Sequence, residues 1–202
     1  MVITITVNKK IIRGGIAMLL AGVFVAAVSL VIYSFLFRAH TTLPAQADKT
    51  GGCDIYDKTE TVNGTSLAPF IANGTTVTAA YNYYHCHTVQ RGDIVLYKYS
   101  GDKNPLIKIV QGIPGDTFSL QPSGSGWYML INGAVLANKE NIPYVFDAQK
   151  KKMLDLYVTD YQGKIPASAY LILGDNPAGT LDSSAFGLIG REDLLAKVTA
   201  TL

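Results

Sequence analysis

Between Gly14 and Phe37 the sequence contains no charged residue, and across all 202 residues charged side chains make up only 16%. The low figure has a local source, because this one stretch removes charge from more than a tenth of the chain. The rest shows no basic patch, and the formal net charge is only +2, so nothing points to nucleic acid as a partner. There is also no internal repeat and no low-complexity tract. Histidine is scarce: His40 lies beside the apolar run, and His85 and His87 flank Cys86. Nothing in the chain brings any of them to a serine, which argues against Ser-His-Asp chemistry.

At about 1.5 Å rise per residue, the uncharged stretch matches the roughly 30 Å hydrocarbon core of a bilayer. Residues 14 to 37 therefore read as one transmembrane helix. Lys9, Lys10 and Arg13 precede it and Arg38 alone follows closely, which places the N-terminus in the cytoplasm and exports the remainder. The expected location is the cytoplasmic (inner) membrane, with a single pass and an extracytoplasmic domain. A cleavable signal peptide ending at Ala45-Gln46-Ala47 is the rival reading, but such apolar regions run only about 7 to 15 residues. Residues 39 to 52 are small and polar and read as a tether.

Cys53 and Cys86 are the only cysteines, and in an exported domain a disulfide between them can persist. Cys53, His85, Cys86 and His87 form an alternative metal set. Adjacent residues on a strand point to opposite faces, which works against that set, and no metal or other cofactor is expected.

The exported part reads as mostly β. Strands are expected at 75–80, 93–99, 106–110, 117–120, 127–131 and 169–173, with Asn73-Gly74, Asn132-Gly133 and Ser100-Gly101-Asp102 as turns. Residues 121 to 168 are polar, carry Lys150-Lys151-Lys152, and read as an inserted small subdomain. The Tyr81-Asn82-Tyr83-Tyr84 cluster fits either a bilayer interface or a packed β surface.

Two residues stand out chemically. Ser66 lies in Asn63-Gly64-Thr65-Ser66-Leu67-Ala68-Pro69, where glycine permits a tight turn and proline ends strand pairing. Lys108 lies in Leu106-Ile107-Lys108-Ile109-Val110, where aliphatic neighbours strip an ammonium of hydration. A solvated lysine, with a pKa of about 10.4, is protonated at neutral pH, whereas a buried one can act as a base. A serine hydroxyl needs such a base to become a nucleophile.

These two segments, followed by Gly112-Ile113-Pro114-Gly115-Asp116, Gly174-Asp175-Asn176, Thr180, Asp182-Ser183 and Gly187, resemble the blocks of type I signal peptidases. Those are membrane-anchored Ser/Lys proteases of the S26 family. The resemblance runs in separated blocks from about residue 61 to the C-terminus. It implies a signal-peptidase-like β-barrel or sheet domain over 53–202, with the insertion at about 121–168, preceded by the anchor in 1–38. It implies Ser66 as nucleophile, Lys108 as general base, Thr180 as the hydroxyl orienting the amine, and Asp182 as the acidic residue of the last block. Gly64, Gly174, Asp175, Asn176, Ser183 and Gly187 match as oxyanion or structural positions. The implied partners are exported or membrane-tethered precursors, with small P1 and P3 residues selected by shallow apolar pockets, and the lipid bilayer.

Four departures accompany the match. Leu67 replaces the usual methionine, Gly64 stands in place of a hydroxyl residue, so that one wall of the oxyanion hole is expected from the Ser66 backbone N–H and a neighbour, and Ile109 and Ser184 stand where arginines are expected. Asp182 is thus expected to lack its usual ion pair. The compact size and Gly174-Asp175-Asn176-Pro177 also resemble the conjugative TraF-like branch, which processes pilin precursors. The missing arginines motivate a further alternative, an inactive homologue serving as a scaffold in a secretion or pilus apparatus. A self-cleaving repressor of related fold lacks support, because no DNA-binding segment precedes the domain.

Overall fold

The structure is a computed structural model and describes residues 53–99, 104–177 and 180–201. By contacts the chain divides into two units, residues 1–51 and 52–202, and everything below concerns the second. It is built on a seven-stranded antiparallel sheet. In chain order its strands are β1 (Tyr56–Thr61), β2 (Thr76–Tyr81), β3 (Ile94–Tyr97), β4 (Leu106–Gly112), β9 (Ala169–Leu173), β10 (Ile189–Gly190) and β11 (Leu194–Thr201). They are ordered β1-β2-β11-β3-β4-β9-β10 across the sheet. A second sheet forms from β5 (Phe118–Pro122), β6 (Trp127–Ile131), β7 (Ala134–Val135) and β8 (Val145–Phe146), with β6 central.

Helix α1 (Tyr83–Cys86) follows β2, α2 (Ala148–Asp160) follows β8, and α3 (Ser183–Phe186) lies between β9 and β10. The second sheet and α2 therefore fall, in sequence, between β4 and β9. The side chain of Asp147 caps α2 by accepting from the Lys150 N–H at 2.9 Å. Asn132 and Gly133 both have positive φ, at 51° and 79°, as a two-residue turn between β6 and β7 requires.

Strand β4 is buried along nearly its whole length because it is covered on both faces. One face carries Ile107 and Ile109 into a cluster with Val77, Leu96, Ala196 and Leu67. Val110 on the other joins Val95, Ile172 and Tyr84. A third cluster, with Phe118, Met129, Phe146, Leu154, Leu171 and Leu173, joins the second sheet and α2 to β9. Strand β9 pairs only with Ile109 to Gly112, so the first half of β4 keeps an edge that β9 leaves open.

Several expectations are corrected. The transmembrane helix expected over 14–37 lies outside the described residues. Among the described residues no helix is long and apolar enough to cross a membrane. The longest, α2, has 13 residues and spans only about 20 Å, with three lysines in its sequence. The membrane-anchored fold, the membrane-anchored form of the expected activity, and the single-pass cytoplasmic-membrane location thus have no spanning helix among the described residues behind them, and the fold described is a mostly β domain. His85 and Cys86 lie in helix α1 rather than on a strand. Cys86 is bonded to Cys53, which ties the segment before β1 to the end of α1.

Leu171 is fully buried where β9 meets the second sheet. Leu171→Ala is expected to cost about 2–5 kcal/mol through lost transfer energy and the cavity left behind. The measurement is the urea midpoint, which should fall with the slope unchanged.

Candidate active site

Ser66 sits in the loop that follows β1. Gly64 there has φ +109°, a conformation that favours glycine, and its N–H donates to Asn73 Oδ1 at 2.8 Å. That donor is occupied, so Gly64 serves the loop's shape and does not offer a free N–H. Leu67, fully buried, and Ile71 anchor the loop in the core, and the Ile71 N–H donates to the Leu67 carbonyl at 2.8 Å. On its other side, the Ser66 carbonyl accepts from the Asp175 N–H at 2.7 Å.

Lys108 is the third residue of β4, opposite Val95, and is only 2% exposed. Its Nζ donates to the Ile107 carbonyl at 2.8 Å. The Ser66 hydroxyl donates to the same carbonyl at 3.3 Å. Hydroxyl and amine therefore converge on one oxygen from residues 42 positions apart, at the edge of β4 that β9 leaves open. Burial lowers the Lys108 pKa to about 8, and the carboxylate of Asp182 works in the opposite direction.

Asp182 is fully buried and caps α3. Its Oδ2 accepts from the Gly174 N–H at 3.0 Å, the Thr180 N–H at 3.3 Å and Thr180 Oγ1 at 2.7 Å. Its Oδ1 accepts from Ser184 N–H at 2.9 Å and Ser184 Oγ at 2.7 Å. Five neutral donors thus surround the carboxylate. Ser184, standing where an arginine is expected, supplies two of them, and this resolves how Asp182 is held without that cation. Thr180 turns its hydroxyl to Asp182; its link to Lys108 runs through that carboxylate.

Gly174 makes this assembly possible. A Cβ there would lie 2.5 Å from Thr180 Oγ1 and 2.6 Å from the Ser66 carbonyl oxygen. Only glycine lets the end of β9 pass between the serine loop and Thr180. Asp175, also fully buried, accepts the Lys139 N–H on Oδ1 at 3.0 Å, and its carbonyl accepts Asn138 Nδ2 at 3.0 Å. Asn176 continues this loop. Ser183 Oγ accepts the Ile172 N–H at 2.9 Å, fastening α3 to β9. Gly187 has φ +87°, and a Cβ there would collide with the Tyr157 ring, so α2 packs directly on the end of α3.

The structure thus brings Ser66, Lys108, Gly174, Asp175, Thr180, Asp182 and Ser183 into one connected region. Cys53 and Cys86 belong to the other end of β1 and β2. Asp93 and Asp116, members of the neighbouring blocks, are spent structurally: Asp93 pairs with Lys197 and accepts from Tyr84, and Asp116 pairs with Arg91.

Sequence reasoning missed the cleft beside this region. It has a volume of about 490 Å³, with Glu60, Val62, Asn63 and Asn104 among its walls, and Ile107 at the end next to Ser66. Its walls come from the end of β1, from Val77 of β2 and Leu96 of β3, and from the start of β4, and the first and last of these are 40 or more residues apart. No local signal in the sequence joins them.

The profile of the family described as "Signal peptidase, peptidase S26" matches residues 56–202. Signal peptidase IB of Staphylococcus aureus is 28% identical over 150 residues, covering 69% of this chain and 74% of that protein. Signal peptidase I P of Bacillus subtilis subsp. natto is 25% identical over 137 residues, covering 66% and 69%. A solved signal peptidase I from Enterococcus faecalis V583 superposes with a TM-score of 0.41 at 23% identity, over 56% of this chain and 98% of the other. These matches give no specific support to the conjugative TraF-like branch. The profile spans well over half of the sequence, and the chain belongs to the S26 signal peptidase family, whose members are serine endopeptidases.

Proposed function

We propose that this chain is a serine endopeptidase that removes leader segments from exported or secreted precursor proteins, with Ser66 as nucleophile and Lys108 as general base. The observation that carries the reading is the convergence of Ser66 Oγ and Lys108 Nζ on the Ile107 carbonyl. In the proposed active form the serine side chain turns its hydroxyl hydrogen from that carbonyl to the amine, the kind of tightening that substrate binding commonly brings.

In the proposed cycle the neutral amine takes the hydroxyl proton as Oγ attacks the scissile carbonyl carbon. The C–N bond then breaks, and the ammonium returns the proton to the departing amine. Water, deprotonated by the same lysine, next attacks the acyl ester; the ester C–O bond breaks and the ammonium gives its proton to Ser66 Oγ, which restores the hydroxyl and the neutral amine. The Ser66 backbone N–H is the proposed donor to the oxyanion. Asp182 is a positioning residue: it holds Thr180, the turn at Gly174 and the start of α3, and its charge tempers the loss of basicity that burial imposes on Lys108. The polypeptide enters extended, between the free edges of β1 and of the first half of β4, with backbone groups on both sides available to it.

The magnitude of the shift matters. With a pKa of about 8, roughly a tenth of Lys108 is neutral at about pH 7; an unshifted lysine would offer well under a thousandth. Burial therefore raises the population of working base by about two orders of magnitude.

Two outcomes are expected. Ser66→Ala and Lys108→Ala should each lower kcat on a cleavable precursor by about a thousandfold or more, with little change in the folded CD spectrum. Equal processing by wild type and both variants removes the assignment. Because the base must be unprotonated, kcat/KM should rise about tenfold per pH unit below the lysine pKa and level off above about pH 8. A profile that is flat from about pH 6 to 9 contradicts Lys108 as the base.

A further inference from the structure

The cleft beside Ser66 is not wholly apolar. Val62, Val77, Leu96 and Ile107 line its deeper parts, but Asn63, Asn104 and Glu60 also face it. Among the described lining residues Glu60 is the only one that carries charge. The cleft has a volume of about 490 Å³.

Glu60 is also held in place. Tyr81 donates its hydroxyl to Glu60 Oε1 at 2.7 Å from the neighbouring strand, and Tyr81 is half-buried. Lys58 reaches the same oxygen at 2.7 Å, but its side chain is 58% exposed against 26% for Glu60. The hydrogen bond from Lys58, followed by that from Tyr81, lowers the carboxyl pKa, so the group is an anion across the neutral range. An exposed lysine in such a pair is weakly held and exchanges readily for another cation. The fixed partner is Tyr81 and the replaceable one is Lys58.

Lys58 and Glu60 also lie on an edge strand, where charge discourages pairing with other chains. That role asks for exposure on the rim. Glu60 instead lines the cleft together with buried Val62 and Ile107.

We propose that Glu60 is a specificity-determining residue that makes the cleft favour polypeptides carrying a lysine or arginine a few residues from the scissile bond. The incoming cation takes the place of Lys58 on a carboxylate that Tyr81 keeps oriented, while its aliphatic stem lies along Val62, Val77 and Leu96. The proposal rests on the Ser66/Lys108 reading only for where the scissile bond lies.

The test uses the full chain with Ser66→Ala and a fluorescent peptide of alanine and serine bearing one lysine, moved one position at a time, beside glutamate and glutamine counterparts. By anisotropy, lysine at one position should bind about tenfold more tightly than glutamate there. Adding Glu60→Gln, which keeps a partner for Tyr81, should bring the two within about twofold, and Glu60→Lys should reverse their order. A merely structural Glu60 would change stability and leave the ratio alone. Equal or undetectable binding of the lysine and glutamate peptides at every position, or a preference that survives Glu60→Gln, overturns the proposal. Wild-type enzyme with the same peptides then locates the cut. A binding preference without any cleavage would count against the Ser66/Lys108 reading and leave the role of Glu60 standing.

Discussion

The site depends on one carbonyl oxygen. Ile107 O receives both the Ser66 hydroxyl and the Lys108 amine, and it can do so only because β9 stops pairing before it reaches that part of β4. Had β9 continued, its backbone would occupy the open edge where the serine loop now sits. The same geometry buries the lysine, because β4 runs through the middle of the sheet with apolar clusters on both faces. Placement of the amine and its lowered basicity are two consequences of one strand arrangement.

Opposing this is a single buried carboxylate. Burial alone would depress Lys108 further, and Asp182 limits that effect through its charge. An anion in this position must itself be compensated, and the chain does so with backbone and hydroxyl donors from Gly174, Thr180 and Ser184. Neutral donors hold the carboxylate while leaving its field less cancelled than a guanidinium partner would. This gives a physical account of how Asp182 is held with serine at 184. The proposed anionic cleft residue, Glu60, lines the same cleft as Ile107 and belongs to substrate choice.

Much of this was legible in the residues. Trp127–Ile131 and Ala169–Leu173 have the expected strand bounds, since dense apolar runs between turn residues leave few alternatives. Ser66 and Lys108 stood out because each sits in a local setting that contradicts ordinary surface chemistry. Strand β1 was missed: Tyr-Asp-Lys-Thr-Glu-Thr is nearly all exposed, and it pairs only because β2 offers it an edge. Strand β11 was missed as well, although Leu194, Ala196 and Val198 alternate inward, and α2 was hidden by its lysine triplet. The five donors to Asp182 could not be read, because their meeting depends on Gly174 passing within contact of both the Ser66 loop and Thr180. The cleft was invisible for the same reason: its walls are neighbours only after β1 and β4 take their places in the sheet.

The most direct measurement is an NMR titration of the Lys108 amine, with lysine labelled at the terminal carbon and nitrogen and assigned by comparison with Lys108→Met. The account expects this one resonance to titrate near pH 8, well apart from the other lysines, in the folded chain. Titration together with the surface lysines, at their ordinary pKa of about 10.4, would contradict it.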